Sequence, residues 1–314
     1  MAPPNTFRTA THWGAYDASV VDGKLTALTP IKDDPDPSPI GAGMVQAIQD
    51  DLRIQQPMVR AGWLDNGPGD AKGKRGAEPF VPVSWERALD LAAQDIARVR
   101  ETHGNESIYA GGYGWGSAGC FHHAQAHMRR FLNLIGGNVK SVQSYSLAAA
   151  ETIVPHVVGD WNWVYQNTTS WSVIAEHTDL MVAFGGVPLK NAQIDGGGVG
   201  RHRTSEWLKT CHDKGVAFIN IGPVREDIAG FANAEWLTPR PNTDTAVMLG
   251  LAHTLVAEGL HDQAFLDRYA TGFGAFKPYL MGESDGVAKS ADWAAGVSGL
   301  SADDIRALAR RMAA

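Results

Sequence analysis

Cysteine is scarce in this chain: 314 residues hold two, Cys120 and Cys211. Two thiols cannot build a four-cysteine zinc site or a thiolate-ligated iron–sulfur cluster, so no iron–sulfur cluster is expected in this chain. Long apolar runs are missing as well. Without eighteen or more consecutive apolar residues nothing in the sequence would span a bilayer, and a membrane partner is not expected. Basic residues are outnumbered, 27 against 34 acidic, giving a formal net charge of −7 and no basic stripe. That field disfavours a nucleic-acid partner and leaves a small molecule as the better fit. The opening MAPPNTFRTATHWG has neither an apolar h-region nor paired arginines, so the expected location is the cytoplasm.

What the chain does have is enough apolar residue, 44%, to build a real core in one large or two smaller domains. Residues 14–30, GAYDASVVDGKLTALTP, read as a hairpin around an Asp-Gly turn. DDPDPSPIGAG is too proline-rich for a central strand and reads as a surface connection, as does DNGPGDAKGKRGAEP at 65–79. A small irregular β-containing N-terminal lobe is expected over 1–60. From Ser84 the pattern changes. SWERALDLAAQDIARVRETHG has apolar residues at helical spacing (Leu89, Ala92, Ile96, Val99), a serine cap and a closing Gly104. SIYA then reads as a strand, and Phe121, Met128, Leu132 and Ile135 give one face of a helix ended by Gly136-Gly137.

The alternation recurs: DLMVAFGG and VAFINIG read as strands, RTSEWLKTCHDKG and DTAVMLGLAHTLVAEG as helices. Near-continuous apolar strands between helices indicate an α/β fold with a parallel sheet, whose ligands bind beyond the strand C-termini. We place an α/β segment at 61–158 and a dinucleotide-binding-like α/β domain at 159–314. The last helix opens with Ser301 and Asp304 in a capping-box arrangement.

Four strand-end loops carry the chemistry-bearing residues. In GGYGWGSAG (111–119) two aromatics sit among glycines ahead of a helix, where bare backbone can approach a ligand and free N–H groups favour an anion. The same pattern also describes a tight turn with a packed aromatic pair. In SVQSYSLAAAETIVPHVVG (141–159), Ser146 is either a helix N-cap or an alkoxide ligand to a strongly Lewis-acidic metal. In FGGVPLKNAQID (184–195), Lys190 is either a phosphate partner or a solvated lysine. INIGPVRED and RPNTDTAVMLG supply a loop at 220–223 and Asp244 at a helix start, either a capping carboxylate or a hydrogen-bond partner for a purine or ribose edge. His123 and His127 have an i,i+4 spacing that can chelate zinc, but Ala124 stands where a zincin helix has glutamate, so they read as ordinary histidines.

In order and spacing these loops resemble the molybdopterin oxidoreductases of the dimethyl sulfoxide, trimethylamine N-oxide and biotin sulfoxide reductase group, closest to the biotin sulfoxide reductase type. THWGAY, RGAEPFVPVSWERALDL and YLMGESDGVAKSADWAA are similar to that group too, so the resemblance covers nearly the whole chain. It implies Rossmann-like parallel-sheet units, incomplete relative to the family, because family members are more than twice this length. It implies bis(molybdopterin guanine dinucleotide) molybdenum as cofactor, with Ser146 as the protein ligand to the metal. Tyr113 and Trp115 match aromatics that hydrogen-bond the transferred oxygen. Trp115, Gly116, Ser117, Lys190, Asn191, Asn220, Ile221, Gly222, Pro223, Asn242, Thr243 and Asp244 match cofactor-binding stretches, with Asn242 standing where glycine is frequent and Gly222 where a polar residue is frequent. The implied activity is oxygen-atom transfer from an S-oxide or N-oxide with two-electron reduction, served by an unidentified electron donor.

Two other readings stand beside it. A truncated fragment or split subunit would bind the cofactor only with a partner chain. A nicotinamide-dependent dehydrogenase would use GGGVG at 196–200, although no strand directly precedes that run as a full fingerprint requires.

Overall fold

The computed structural model describes residues 5–68, 76–112, 121, 123–144 and 146–314. They divide into two compact units, one of residues 1–168 with 193–202, the other of 169–192 with 203–314.

The first unit opens with an antiparallel sheet, β1 (Asn5–Thr11), β2 (Gly14–Val21) and β3 (Lys24–Pro30), in the order β1-β2-β3. The expected hairpin is present. Asp22 and Gly23 both take left-handed φ, 51° and 76°, as the twist of a tight two-residue hairpin demands. β1 adds a third strand that the sequence did not announce. On β2, Gly14, Tyr16 and Ala18 alternate inward. The Tyr16 ring lies so close to Gly41 that a Cβ there would come within 2.5 Å of it, and the Tyr16 hydroxyl donates to the Trp13 and Ser38 carbonyls. Gly41 belongs to α1 (Ile40–Ala47), which begins inside the stretch expected to be a surface connection. That expectation is corrected further by Asp34 and Ser38, which are buried. Proline excluded a strand there, not burial.

β4 (Met58–Arg60) leads into α2 (Ala61–Asn66) and pairs antiparallel with β5 (Phe80–Pro82). α3 (Trp85–His103) starts as expected, the Ser84 hydroxyl accepting from the Arg87 amide at 3.2 Å, and stops at Gly104 with φ 74°. SIYA does not become a full strand; it makes one isolated parallel bridge, Tyr109 to Val139. α4 (Ala124–Leu134), α5 (Ala148–Val157) and α6 (Trp161–Gln166) follow. On the face proposed for α4 only Leu132 is buried, and Phe121 is exposed. Among the described residues of 76–168, Leu132 is the sole buried apolar side chain.

The second unit has a denser interior. α7 (Trp171–His177) precedes β6 (Leu180–Phe184), then come α8 (Thr204–Asp213), β7 (Ala217–Ile221), β8 (Glu235–Leu237) and α9 (Asp244–Ala257). The strands form a parallel sheet in the order β6-β7-β8, with Ile219 opposite Val182 and Glu235. α10 (Gln263–Tyr269), α11 (Phe273–Leu280), α12 (Ala291–Ser298) and α13 (Ala302–Met312) complete the unit. Strand periodicity assigns the two faces of β7. Ile219 and Ile221 pack with Leu237, Val247, Leu251, Ala294 and Ile305, while Phe218 packs with Leu208, Cys211 and Ile228. Each fully buried branched side chain there is worth about 2 kcal/mol. Both faces are covered, which is why β7 reads as a continuous apolar run. Of the capping box, the half on Ser301 is made: its hydroxyl accepts from the Asp303 and Asp304 amides.

Candidate functional site

In the first unit a cavity of about 830 Å³ is walled by Gly111 and Gly112, by Gln125, Met128, Arg129 and Leu132 of α4, by Asn138, Lys140, Ser141, Gln143, Ser144, Ser146 and Leu147, and by Trp161 and Asn162 of α6. Ser146 lies in this wall. It is exposed, its hydroxyl makes no hydrogen bond among the described residues, and it is not the N-cap of α5. The flanking position belongs to Leu147, whose side chain caps nothing, and the Ser144 carbonyl takes the Ala148 amide at 2.9 Å. Of the two roles open to Ser146 in the sequence, capping is therefore corrected. Nearby Gln143 holds a left-handed φ of 64° and donates to Thr152 Oγ1 at 3.1 Å.

Tyr113, Trp115, Gly116 and Ser117 lie outside the described residues. Gly111 and Gly112, which lead into them, border the same cavity as Ser146. His123 precedes α4 and His127 lies in its first turn, and no group of three or more His, Cys, Asp or Glu that could hold a metal ion occurs among the described residues.

The second candidate region is the edge of the parallel sheet in the second unit. Because β6, β7 and β8 run parallel, the loops after Phe184, Ile221 and Leu237 all leave the same edge. Backbone bonds tie them together: Gly185 N–H to Ile221 O at 2.8 Å, Gly222 N–H to Leu237 O at 3.1 Å, and Val187 N–H to Asp227 O at 2.7 Å. Gly186 has φ 73°, and a Cβ there would meet the Asp227 carbonyl oxygen at 2.5 Å, so no other residue fits without a backbone shift. Lys190 extends its ammonium to Asp227 at 3.0 Å while staying largely exposed. The sequence reading passed over Asp227, whose carboxylate and carbonyl hold the Gly186–Lys190 loop.

Asn220 is fully buried; its amide nitrogen donates to the Val224 and Arg225 carbonyls, and its Oδ1 is buried without a partner among the described residues. Its nitrogen thus shapes the loop at 222–225, leaving one acceptor unmatched. The Ile221 side chain belongs to the core, which leaves only backbone for a ligand, whereas Gly222 and Pro223 follow at the edge. Asn191 begins a 3-10 turn and is exposed. Asn242 takes φ 65°, the left-handed region that glycine or asparagine tolerates. Thr243 flanks α9 and gives its hydroxyl to Arg240 O at 2.6 Å, while Asp244 is the first helical residue. No side chain caps α9, which corrects the simple capping role for Asp244. Arg240, also missed in the sequence, anchors this loop by donating to the Gly296 and Val297 carbonyls of α12. The glycine run at 196–200 lies in irregular chain between the 3-10 turn Asn191–Gln193 and α8, with no strand leading into it. That is not a dinucleotide-binding turn.

Comparison with known proteins decides the family. A model described as molybdopterin oxidoreductase matches residues 53–302, and one described as molybdopterin oxidoreductase N-terminal domain matches 9–48. The chain belongs to the molybdopterin oxidoreductase family. It is 44% identical over 305 residues to the dimethyl sulfoxide/trimethylamine N-oxide reductase of Rhodobacter capsulatus, covering 97% of this chain and 37% of that protein. It is 43% identical over 283 residues to the biotin sulfoxide reductase of Cereibacter sphaeroides, covering 90% and 38%. The trimethylamine-N-oxide reductase of Haemophilus influenzae is 37% identical over 313 residues, covering 98% and 37%. The chain thus spans a little over a third of the length of these relatives. Among solved structures, acetylene hydratase from Pelobacter acetylenicus superposes with a TM-score of 0.59 at 21% identity, covering 96% of this chain and 38% of that one, a likeness of fold. The mixed α/β arrangement, an antiparallel sheet followed by a parallel sheet with helices, is that of a molybdopterin oxidoreductase in part of its length.

Proposed function

We propose that this chain forms part of a molybdenum-dependent reductase that binds bis(molybdopterin guanine dinucleotide) molybdenum and takes an oxygen atom from a small S-oxide or N-oxide. The activities of the relatives support the reaction class. One observation carries the site: the Ser146 hydroxyl is exposed in the wall of a cavity, uncommitted to the helix that follows it. An alkoxide ligand needs this freedom, since a capping hydroxyl is already engaged by a backbone amide.

When bound, the cofactor supplies the two-electron redox chemistry. The chain's own residues position and polarise. Ser146 would hold the metal through its Oγ as the protein ligand. Tyr113 and Trp115 would donate O–H and N–H hydrogen bonds to a substrate oxygen there, stabilising developing charge. Trp115 to Ser117, Lys190, Asn191, Asn220 to Pro223 and Asn242 to Asp244 hold the pterin and nucleotide portions. At the sheet edge this assignment is supported by the Asn220 acceptor, without a partner among the described residues, and by the uncapped start of α9.

A second reading is that this chain holds the cofactor only together with a partner polypeptide. The near absence of buried apolar side chains from 76–168 favours it, since α3 and α5 bury no residue at all. Molybdenum and guanine quantification separates the two. Metal with two pterins on the purified chain supports the first, cofactor appearing only after co-expression with the complementary two-thirds of a relative supports the second, and cofactor in neither case overturns both. Within a loaded protein, Ser146→Ala loses molybdenum but keeps guanine, whereas Tyr113→Phe keeps both and slows oxygen transfer at least tenfold, about the effect of losing one well-placed donor.

A further inference from the structure

A cavity of about 380 Å³ lies within the second unit, between the C-terminal half of α9 and the pair α10 and α11. The sequence of α9 explains why it is there. Val247, Gly250 and Leu251 pack toward the sheet, α12 and α13, so closely that a Cβ on Gly250 would meet that of Ala294 at 2.7 Å. Ala252 and Val256 recur four residues apart on the neighbouring stripe, where a helix facing water carries polar residues, and both are apolar. Leu266 of α10 and Phe273, Phe276 and Leu280 of α11 cover that stripe without filling the space over it.

No Asp, Glu, Lys or Arg lines this cavity among the described residues, and the polar side chains in its wall are His261 and Thr271. The His261 ring packs on Phe273 with centroids 5.9 Å apart, and its Nδ1 is buried without a partner among the described residues. Buried polar side-chain atoms are generally hydrogen-bonded, so an unmatched imidazole nitrogen in an apolar wall calls for an explanation. Water does not provide one, because it needs roughly two to four polar partners and apolar cavities stay dry. A molecule with aromatic faces and one polar handle does. An apolar cavity of about 150 Å³ takes a benzene ring, so one of about 380 Å³ has room for two fused rings. A hydroxyl both donates and accepts, and so satisfies the imidazole in either tautomer.

We propose that this cavity is a binding site for a neutral bicyclic phenol, its rings against Phe273, Phe276 and Leu280 and its hydroxyl bonded to His261. The proposal does not rest on the reductase reading. Asp244 opens α9 at the sheet edge, while Ala252 and Val256 lie about 12–18 Å further along the helix axis, so a ligand here leaves the candidate cofactor loops untouched. Its effect is to tie α10 and α11 to α9.

The probes are 2-naphthol and naphthalene, alike except for the hydroxyl, brought to equilibrium with the purified chain by dialysis. Both should bind. His261→Phe keeps a ring of similar size and removes the nitrogens; it should weaken 2-naphthol about five- to tenfold, the loss of one net hydrogen bond, and leave naphthalene within about twofold. Ala252→Phe fills the cavity from α9, and Ala270→Phe fills it from the exposed, extended position that ends α10. Each should abolish binding of both probes with unchanged far-ultraviolet circular dichroism, and the second variant carries the test where the first disturbs packing. 2-Naphthol should also slow amide exchange in peptides from 262–280. Failure of both probes to bind, an equal effect of His261→Phe on the two, or binding that survives both filling variants would overturn the proposal.

Discussion

Replacing His202 by leucine should loosen one defined segment of the first unit. The His202 side chain is 4% exposed and that of Asp34 1%. Nδ1 lies 2.7 Å from Asp34 Oδ2, and Nε2 lies 3.1 Å from the Gln193 carbonyl oxygen. The ring thus lies between the Asp34 carboxylate and the Gln193 carbonyl, one oxygen against each nitrogen. Asp34 Oδ1 also accepts the His202 amide at 3.0 Å, and Ser38 donates to Gln193 Oε1 at 3.2 Å. Together these bonds fasten residues 193–202 to the turn after β3. Leucine fills similar volume but leaves a buried carboxylate with its charge unmatched, a defect that costs about 3 kcal/mol. Expressed as local opening, that is roughly a hundredfold rise in the opening constant, since every 1.4 kcal/mol is tenfold. Hydrogen exchange read by mass spectrometry on peptides from 31–38 and 193–202 measures it directly. Burial opposes ionisation of Asp34, but hydrogen bonds from the His202 amide and ring and the Asp36 amide outweigh it and hold the carboxyl below its usual range. A carboxyl whose folded value is depressed contributes stability above its unfolded value of about 3.9 and loses it as pH falls through the folded value. In the unmodified chain, protection of these peptides should therefore persist at pH 5 and decay below about pH 4. If His202→Leu exchanges at the unmodified rate in both peptides, the pair does not fasten the segment and the reasoning fails.

Three glycine substitutions test the packing of the second unit. Gly186→Ala must adopt φ 73° with its Cβ 2.5 Å from the Asp227 carbonyl oxygen, so it should cost about 2 kcal/mol in chemical denaturation and lower guanine content in any loaded preparation. Gly250→Ala places a methyl 2.7 Å from Ala294 Cβ between α9 and α12, and overpacking of ~1–3 kcal/mol outweighs the ~0.5–1 kcal/mol gained in helix propensity. Gly296→Ala, with nothing within 4 Å, should by contrast stabilise by about 0.5 kcal/mol, and a loss there equal to that of Gly250 would show that space is not the deciding quantity.

The second unit was legible because its signals are local. Apolar runs between helical patterns named β6 and β7, and Ser301 marks the start of the last helix in the sequence as it does in the structure. Short β8 was not legible, since EWL is exposed at two of its three residues and carries no periodic signature. The first unit was less legible for a different reason. Asp34, Ser38 and His202 look like loop residues by composition, yet they are buried through bonds spanning up to 168 positions, which no window along the chain contains. The candidate site shows the same divide. Lys190 and Asn220 were named from their loops, but their partners, Asp227 for one and the Val224 and Arg225 carbonyls for the other, emerge only when the sheet edge is assembled.

Backbone conformation gives an independent pointer to the cavity beside Ser146. Among the described residues, four non-glycine residues take left-handed φ: Asp22, Gln143, Asn233 and Asn242. Asp22 is accounted for by its hairpin and Asn233 by the end of a 3-10 turn. Asn242 is accounted for too, as the third residue of a turn closed by the Thr243 N–H to the Arg240 carbonyl at 3.2 Å, whereas Gln143 lies in the cavity wall with Ser146. Left-handed backbone costs an L-residue about 1–2 kcal/mol, least for asparagine, so it persists where the surrounding bonds fix it. At Gln143 the amide bond to Thr152 of α5 is such a constraint, and it fixes the approach to Ser146 from the helix that Ser146 itself does not cap. At Asn242 the bonds of Thr243 and Arg240 do the same for Asp244. At Gln143 the fold thus holds a left-handed residue beside a serine hydroxyl that makes no hydrogen bond among the described residues, the arrangement expected where a ligand completes the bonding.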